Sequence, residues 1–270
     1  MKTLWETNKP LTAIGILMMP VFVLSLIGLL LDPRIITGMP AWLKPAKFAI
    51  SIAIYTLTLA WVFSYLPEWP RLRSVTGSIT SVVMVVEMAI IGIQAARGMT
   101  SHFNIGTPLD AVLFMIMGVA ILIAWLASIA VAVALFRQQF TDSVMGWALR
   151  MGMLITVLGA ATGGLMTVPT SIQLSEARAT HHMAVSGAHS VGAPDGGPGI
   201  PGTGWSTEHG DLRVPHFFGL HAIQILPLIA WLWKPKRANA MIAAGGAYAL
   251  VFVLTLAQAL AGRPFLGTLL

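Results

Sequence analysis

The sequence predicts an all-α membrane protein, a bundle of about seven transmembrane helices, and three observations carry that prediction. Of the 270 residues, 56% are hydrophobic and only 10% are charged, against roughly 25% charged in an ordinary soluble domain. Seven stretches approach the ~20 apolar residues that span a hydrocarbon core. Prolines and short polar runs punctuate those stretches where helices must stop.

The first span, 11–31, follows Lys2 and Lys9 and is nearly unbroken in apolar character. It is longer than the apolar core of a cleaved signal, so it reads as a retained helix, and Asp32-Pro33 ends it. The second, 45–66, is closed by Pro67 and Pro70, and the third covers 76–98. Thr107-Pro108 opens the fourth, 109–136. The fifth, 145–167, carries Gly159 and Gly163 in a small-xxx-small spacing, which lets another helix approach its backbone. The sixth, 215–233, starts at Pro215 and contains Pro227, and the seventh covers 239–261. No internal repeat is apparent, which counts mildly against a repeat-built transporter.

The chain is thus a single polytopic membrane domain, 1–270, with one outsized connection, 168–214, expected to cap the bundle. Ordinary connections run to about 4–6 residues, so this length means a functional lid or a disordered segment. It holds His181, His182, His189 and His209 and a Gly/Pro-rich run from Gly192 to Gly199. His181, His182 and His189 read as solvated loop residues, and Trp205 to Arg213 as the ordered part.

The formal charge of +6 comes from 16 Lys and Arg scattered between apolar runs. They form no basic face for nucleic acid and read as anchors in the bilayer. There is no cysteine, which excludes disulfides, thiolate zinc and iron–sulfur ligation within the chain. With the N-terminus inside, nine cations fall on the inner side (Lys2, Lys9, Arg71, Arg73, Arg137, Arg150, Lys234, Lys236, Arg237) and seven on the outer (Arg34, Lys44, Lys47, Arg97, Arg178, Arg213, Arg263). Four of the outer seven belong to the candidate site described next. This predicts a multi-pass inner-membrane protein with a cytoplasmic N-terminus and the long loop and C-terminus outside.

Residues seven apart share a helix face. Glu87, Gln94, Arg97 and Ser101 fall on one face of the third span, with His102 just beyond, and Lys44, Lys47, Ser51 and Tyr55 on one face of the second. His216, His221 and Gln224 form a broader stripe on the sixth, and Tyr248, Thr255 and Gln258 a milder one on the seventh. The polar ends of all four lie on the side of the long loop, whatever the orientation. Each ionisable group at membrane depth costs roughly 2.5–3.5 kcal/mol, so their convergence predicts a functional cavity.

Three chemistries suit these residues. Haem b would take His102 with His216 or His221 as axial ligands, and a divalent metal ion would draw on His102, His209, Asp211, His216 and His221, with Lys44, Lys47, Arg97 and Arg213 against an anionic group and Trp205 in the cap. Glu87 and Gln94 would then form a buried proton relay for a redox reaction. A metal-dependent membrane hydrolase would use the same donors, although His216 and His221 lie five apart, not the four of a zinc-protease helix. The third is a transporter or receptor for an anionic solute or lipid, with the four cations holding the anion. The expected partners are the bilayer and this ligand or haem, not nucleic acid.

Overall fold

The computed structural model of the chain describes residues 3–266, so Lys2, one of the orientation signals, lies outside the described residues. The elements in chain order are α1 (Leu4–Thr7), α2 (Lys9–Leu31), β1 (Ile35–Ile36), β2 (Met39–Pro40), α3 (Leu43–Val62), a 3-10 turn (Phe63–Tyr65), α4 (Pro70–Arg97), α5 (Pro108–Arg137), α6 (Ser143–Met166), α7 (Ser171–Thr180), β3 (Ser190–Val191), β4 (Gly210–Asp211), α8 (Arg213–Trp233) and α9 (Ala238–Leu260). Seven of these helices (α2–α6, α8 and α9) are long and apolar enough to cross a membrane. They match the seven stretches read from the sequence.

Local chemistry sets their ends. The Asn8 side chain caps α2 by accepting from Leu11 N–H at 3.1 Å, and its amide donates to the Arg73 carbonyl, tying α2 to the start of α4. Thr107 caps α5 through its hydroxyl oxygen and Asp142 caps α6 through its carboxylate, each accepting from first-turn backbone N–H. Gly98, at φ 74°, ends α4 in the left-handed conformation that only glycine adopts without strain.

The apolar core sits at the end of the bundle away from the long loop. Leu11, Phe63, Leu66, Leu135, Leu149 and Met153 pack there with almost no exposed surface. Towards the loop the interior turns polar. Helices α6 and α8 meet at their backbones: a Cβ on Gly159 would overlap the Gly219 backbone, and one on Gly152 would stand 3.0 Å from the Ala222 carbonyl oxygen. The small-residue spacing therefore serves helix packing, as the sequence predicts.

The long connection is an ordered cap, not a disordered segment. It contains α7, opened by a Thr170/Gln173 capping box, and the two-stranded unit in which Ser190 pairs Asp211 and Val191 pairs Gly210. The Gly/Pro run makes tight turns, with Gly192 and Gly196 at φ 98° and 100°. A second small hairpin, β1–β2, turns at Thr37-Gly38, both at positive φ, and Gly38 lies against the Gly196 carbonyl. The two loops thereby close over the same face.

Candidate functional site

A cavity of about 1240 Å³ lies between this cap and the loop-side ends of α3 and α4. Its polar lining comes from Lys44 and Lys47 on α3, Ser101 and His102 after α4, and His189, Asp195, Ser206, His209 and Arg213 from the cap. Phe48, Ile91, Phe103 and Leu212 supply apolar surface.

The two lysines stand one turn apart because α3 starts just where the chain leaves the β1–β2 hairpin. Lys44 Nζ lies 3.0 Å from His102 Nδ1, and Lys47 Nζ donates to the Thr203 carbonyl at 3.0 Å. Among the described residues, neither forms a salt bridge: the ion pairs are Arg34–Asp32, Arg97–Asp110, His189–Asp195 and Arg213–Asp211. Two ammonium groups in an enclosed space without carboxylate partners are costly unless an anion joins them.

Tautomers follow from the partners. A lysine ammonium can only donate, so His102 Nδ1 accepts and Nε2 carries the proton. Burial, then the neighbouring Lys44, His189 and His216, hold the His102 pKa well below its usual range. His189 Nδ1 lies 2.8 Å from the Asp195 carboxylate and donates to it. His216 Nδ1 donates to the Gly159 carbonyl at 2.8 Å. Both of these imidazoles therefore keep an unprotonated Nε2.

His189 is a correction to the sequence reading. It is not a solvated loop residue: its side chain is 25% exposed, its ring stands edge-on to Phe103 at 4.9 Å, and it lines the cavity. Burial lowers its pKa, an effect only partly countered by Asp195. Burial opposes ionisation of Asp195, but the His189 side chain and the backbone N–H groups of His189 and Ser190 outweigh it, leaving the carboxyl below the usual range. This dyad was missed because its Gly/Pro surroundings resemble a flexible linker. The usable signal was the run Pro194-Asp195-Gly196, the composition of a tight turn whose Asp accepts backbone N–H groups.

The other predicted residues divide. Arg97 does not line the cavity: it donates to Asp110 at 2.7 Å, and Gln94 donates to the same carboxylate at 2.8 Å, so both join a cluster with Thr107 around the buried Asp110. That also separates Gln94 from Glu87. The Glu87 carboxyl is buried, with no hydrogen-bond partner at either oxygen, about one turn below Ile91 on the cavity wall. Arg213 reaches the cavity but is engaged by Asp211 through Nε at 2.9 Å and Nη2 at 2.6 Å. Asp211 also accepts from Ser206 N–H, so it serves as the keystone of the cap. His221 lies against Phe217, ring centres 4.4 Å apart, and Trp205 packs between Phe217 and Phe265; neither lines the cavity. Among the described residues no three His, Asp or Glu side chains are grouped to hold one metal ion, so the five candidate ligands do not assemble as a single metal centre.

Comparison with protein-family models, curated proteins and solved structures gives no match for this chain.

Proposed function

We propose that this membrane protein binds an anionic ligand in its loop-side cavity, on the outer face of an inner membrane, as a receptor or transporter. The observation that carries this reading is the pair Lys44 and Lys47, turned into one cavity with neither ammonium in a salt bridge among the described residues. The Nε2–H of His102 and the N–H groups of Arg213 add donors nearby, and an anion supplies the charge the site lacks. The carboxylates Glu176 and Glu208 stand at the exposed rim, where water screens them. Replacing both lysines, Lys44→Gln with Lys47→Gln, should weaken binding of an anionic probe such as inorganic phosphate by roughly 10–100-fold per charge-assisted bond removed. Titration of the purified protein measures this, and equal affinity in the double variant would sink the reading.

A second reading, a redox role with haem b, is favoured by one observation. His189 and His216 have their Nδ1 protons fixed by a carboxylate and a carbonyl, the arrangement that prepares Nε2 as an iron ligand. It replaces His102, whose Nδ1 faces Lys44, and His221 as the ligand pair. The lysines would then meet the propionates. A Soret band with sharp α and β bands on reduction, lost in His216→Ala, is the expected result, and a featureless spectrum from haem-replete cells would remove it.

A further inference from the structure

The cavity continues past its charged end to a rim made of Leu165 at the end of α6, Val168, and Ile172 in α7. These side chains are 45%, 61% and 49% exposed, and they lie at and just beyond the end of α6, a helix long and apolar enough to cross a membrane. The rim is fixed in place. Gln173 donates to the Gly187 carbonyl at 2.9 Å and accepts from Gly187 N–H at 3.0 Å, and Ala188 N–H donates to the Met166 carbonyl at 2.9 Å. Helix α7 is therefore held against the cavity wall beside an exposed apolar rim, the kind of surface that buries into the headgroup–acyl boundary of a bilayer.

A small water-soluble anion needs neither such a rim nor this much space, since whole drug-sized ligands occupy about 300–1,000 Å³. From these features, and resting on the anion-binding reading above, we infer that the ligand is an amphiphile with a phosphate or carboxylate headgroup. Its headgroup lies between Lys44 and Lys47, and its chains leave sideways over Leu165, Val168 and Ile172 into the bilayer. Phe48, Ile91 and Phe103 cover the apolar part nearest the headgroup.

The test uses the full chain in phosphatidylcholine nanodiscs containing a few per cent of dioleoyl phosphatidic acid. Lipid retained on release into detergent is read by native mass spectrometry, and binding of radiolabelled inorganic phosphate is measured in parallel. The expected result is retention of phosphatidic acid over the phosphatidylcholine host, with inorganic phosphate binding at least about tenfold more weakly. Val168→Asp with Ile172→Asp, both at exposed positions, should lose the lipid while keeping the phosphate, and Lys44→Gln with Lys47→Gln should lose both. Phosphate bound as tightly as the lipid, or retention unaffected by the rim variant, overturns the amphiphile inference and leaves the anion reading standing. Binding of neither probe, or retention unaffected by the lysine variant, overturns both.

Discussion

The His189–Asp195 pair gives the cap a titratable joint. His189 is neutral in the fold because burial works against its cation, and Asp195 is ionised by the N–H groups it accepts. A histidine whose folded pKa lies below its ordinary 6.5 contributes fully above that value, and the contribution falls as pH drops towards the folded pKa. The slope is about 1.4 kcal/mol per pH unit for one proton. Asp195 titrates below the carboxylate range, so loss of stability between pH 7 and 5 belongs to the histidine. Hydrogen exchange of the segment 186–195, corrected for the intrinsic rate, should lose protection from pH 7 to 5 in the wild type and change less in His189→Asn; identical profiles would refute it. Glu87 makes a contrasting case. With no partner for either oxygen, its ionised form adds nothing to folding, so Glu87→Gln should melt at or above the wild-type temperature. A fall of several degrees would reveal a partner. At this scale the sequence was legible where periodicity governs: Lys44 and Lys47 share one face of α3 and both line the cavity, while His102 reaches it from the loop after α4. It was illegible where loops choose partners, since nothing in local spacing says that Arg97 ends on Asp110 or that Asp195 folds back onto His189.

Helix packing gives a sharper contrast, because the two glycines of one motif have opposite expected effects. At Gly159 an added Cβ meets Gly219 C at 2.6 Å and Leu220 N at 2.9 Å, atoms of a backbone that cannot yield without separating α6 from α8. Gly159→Ala should cost about 1–3 kcal/mol by overpacking. At Gly163 the nearest atom is His216 Cε1 at 3.4 Å, ordinary contact, so Gly163→Ala should be neutral or gain up to about 1 kcal/mol of helix propensity. Thermal unfolding in detergent compares the two, and equal shifts would mean that α8 does not sit on α6 at Gly219. The seven spans were readable because hydrocarbon thickness dictates length and prolines mark the ends. Helix α7 and the β3–β4 unit were not, because a ten-residue helix and two-residue strands take their stability from the surface beneath them more than from their own sequence.

Orientation belongs to the molecule as a whole, and the pairing of its cations bears on the prediction. Of the seven cations on the loop face, Arg34, Arg97 and Arg213 are paired with Asp32, Asp110 and Asp211, and Lys44 and Lys47 face the cavity. Asp32, held below the usual carboxylate range by Arg34 and then Trp42, keeps its pair charged across the physiological range. Only Arg178 and Arg263 remain to meet lipid phosphates on that face, against eight cations among the described residues at the opposite ends of the helices. Cations favour the leaflet that faces the cytoplasm, where anionic lipids and the insertion machinery retain them, so this bias predicts that the cap and the cavity mouth lie outside. The chain contains no cysteine, so a single introduced thiol reports without background. Glu208 on the cap and Glu68 between the α3 end and α4 are both exposed and lie on opposite faces. A membrane-impermeant maleimide applied to intact cells should label Glu208→Cys and leave Glu68→Cys untouched until the membrane is opened. The reverse pattern would place the cavity in the cytoplasm, where its lysines would draw on the anionic inner leaflet and not on an outer one.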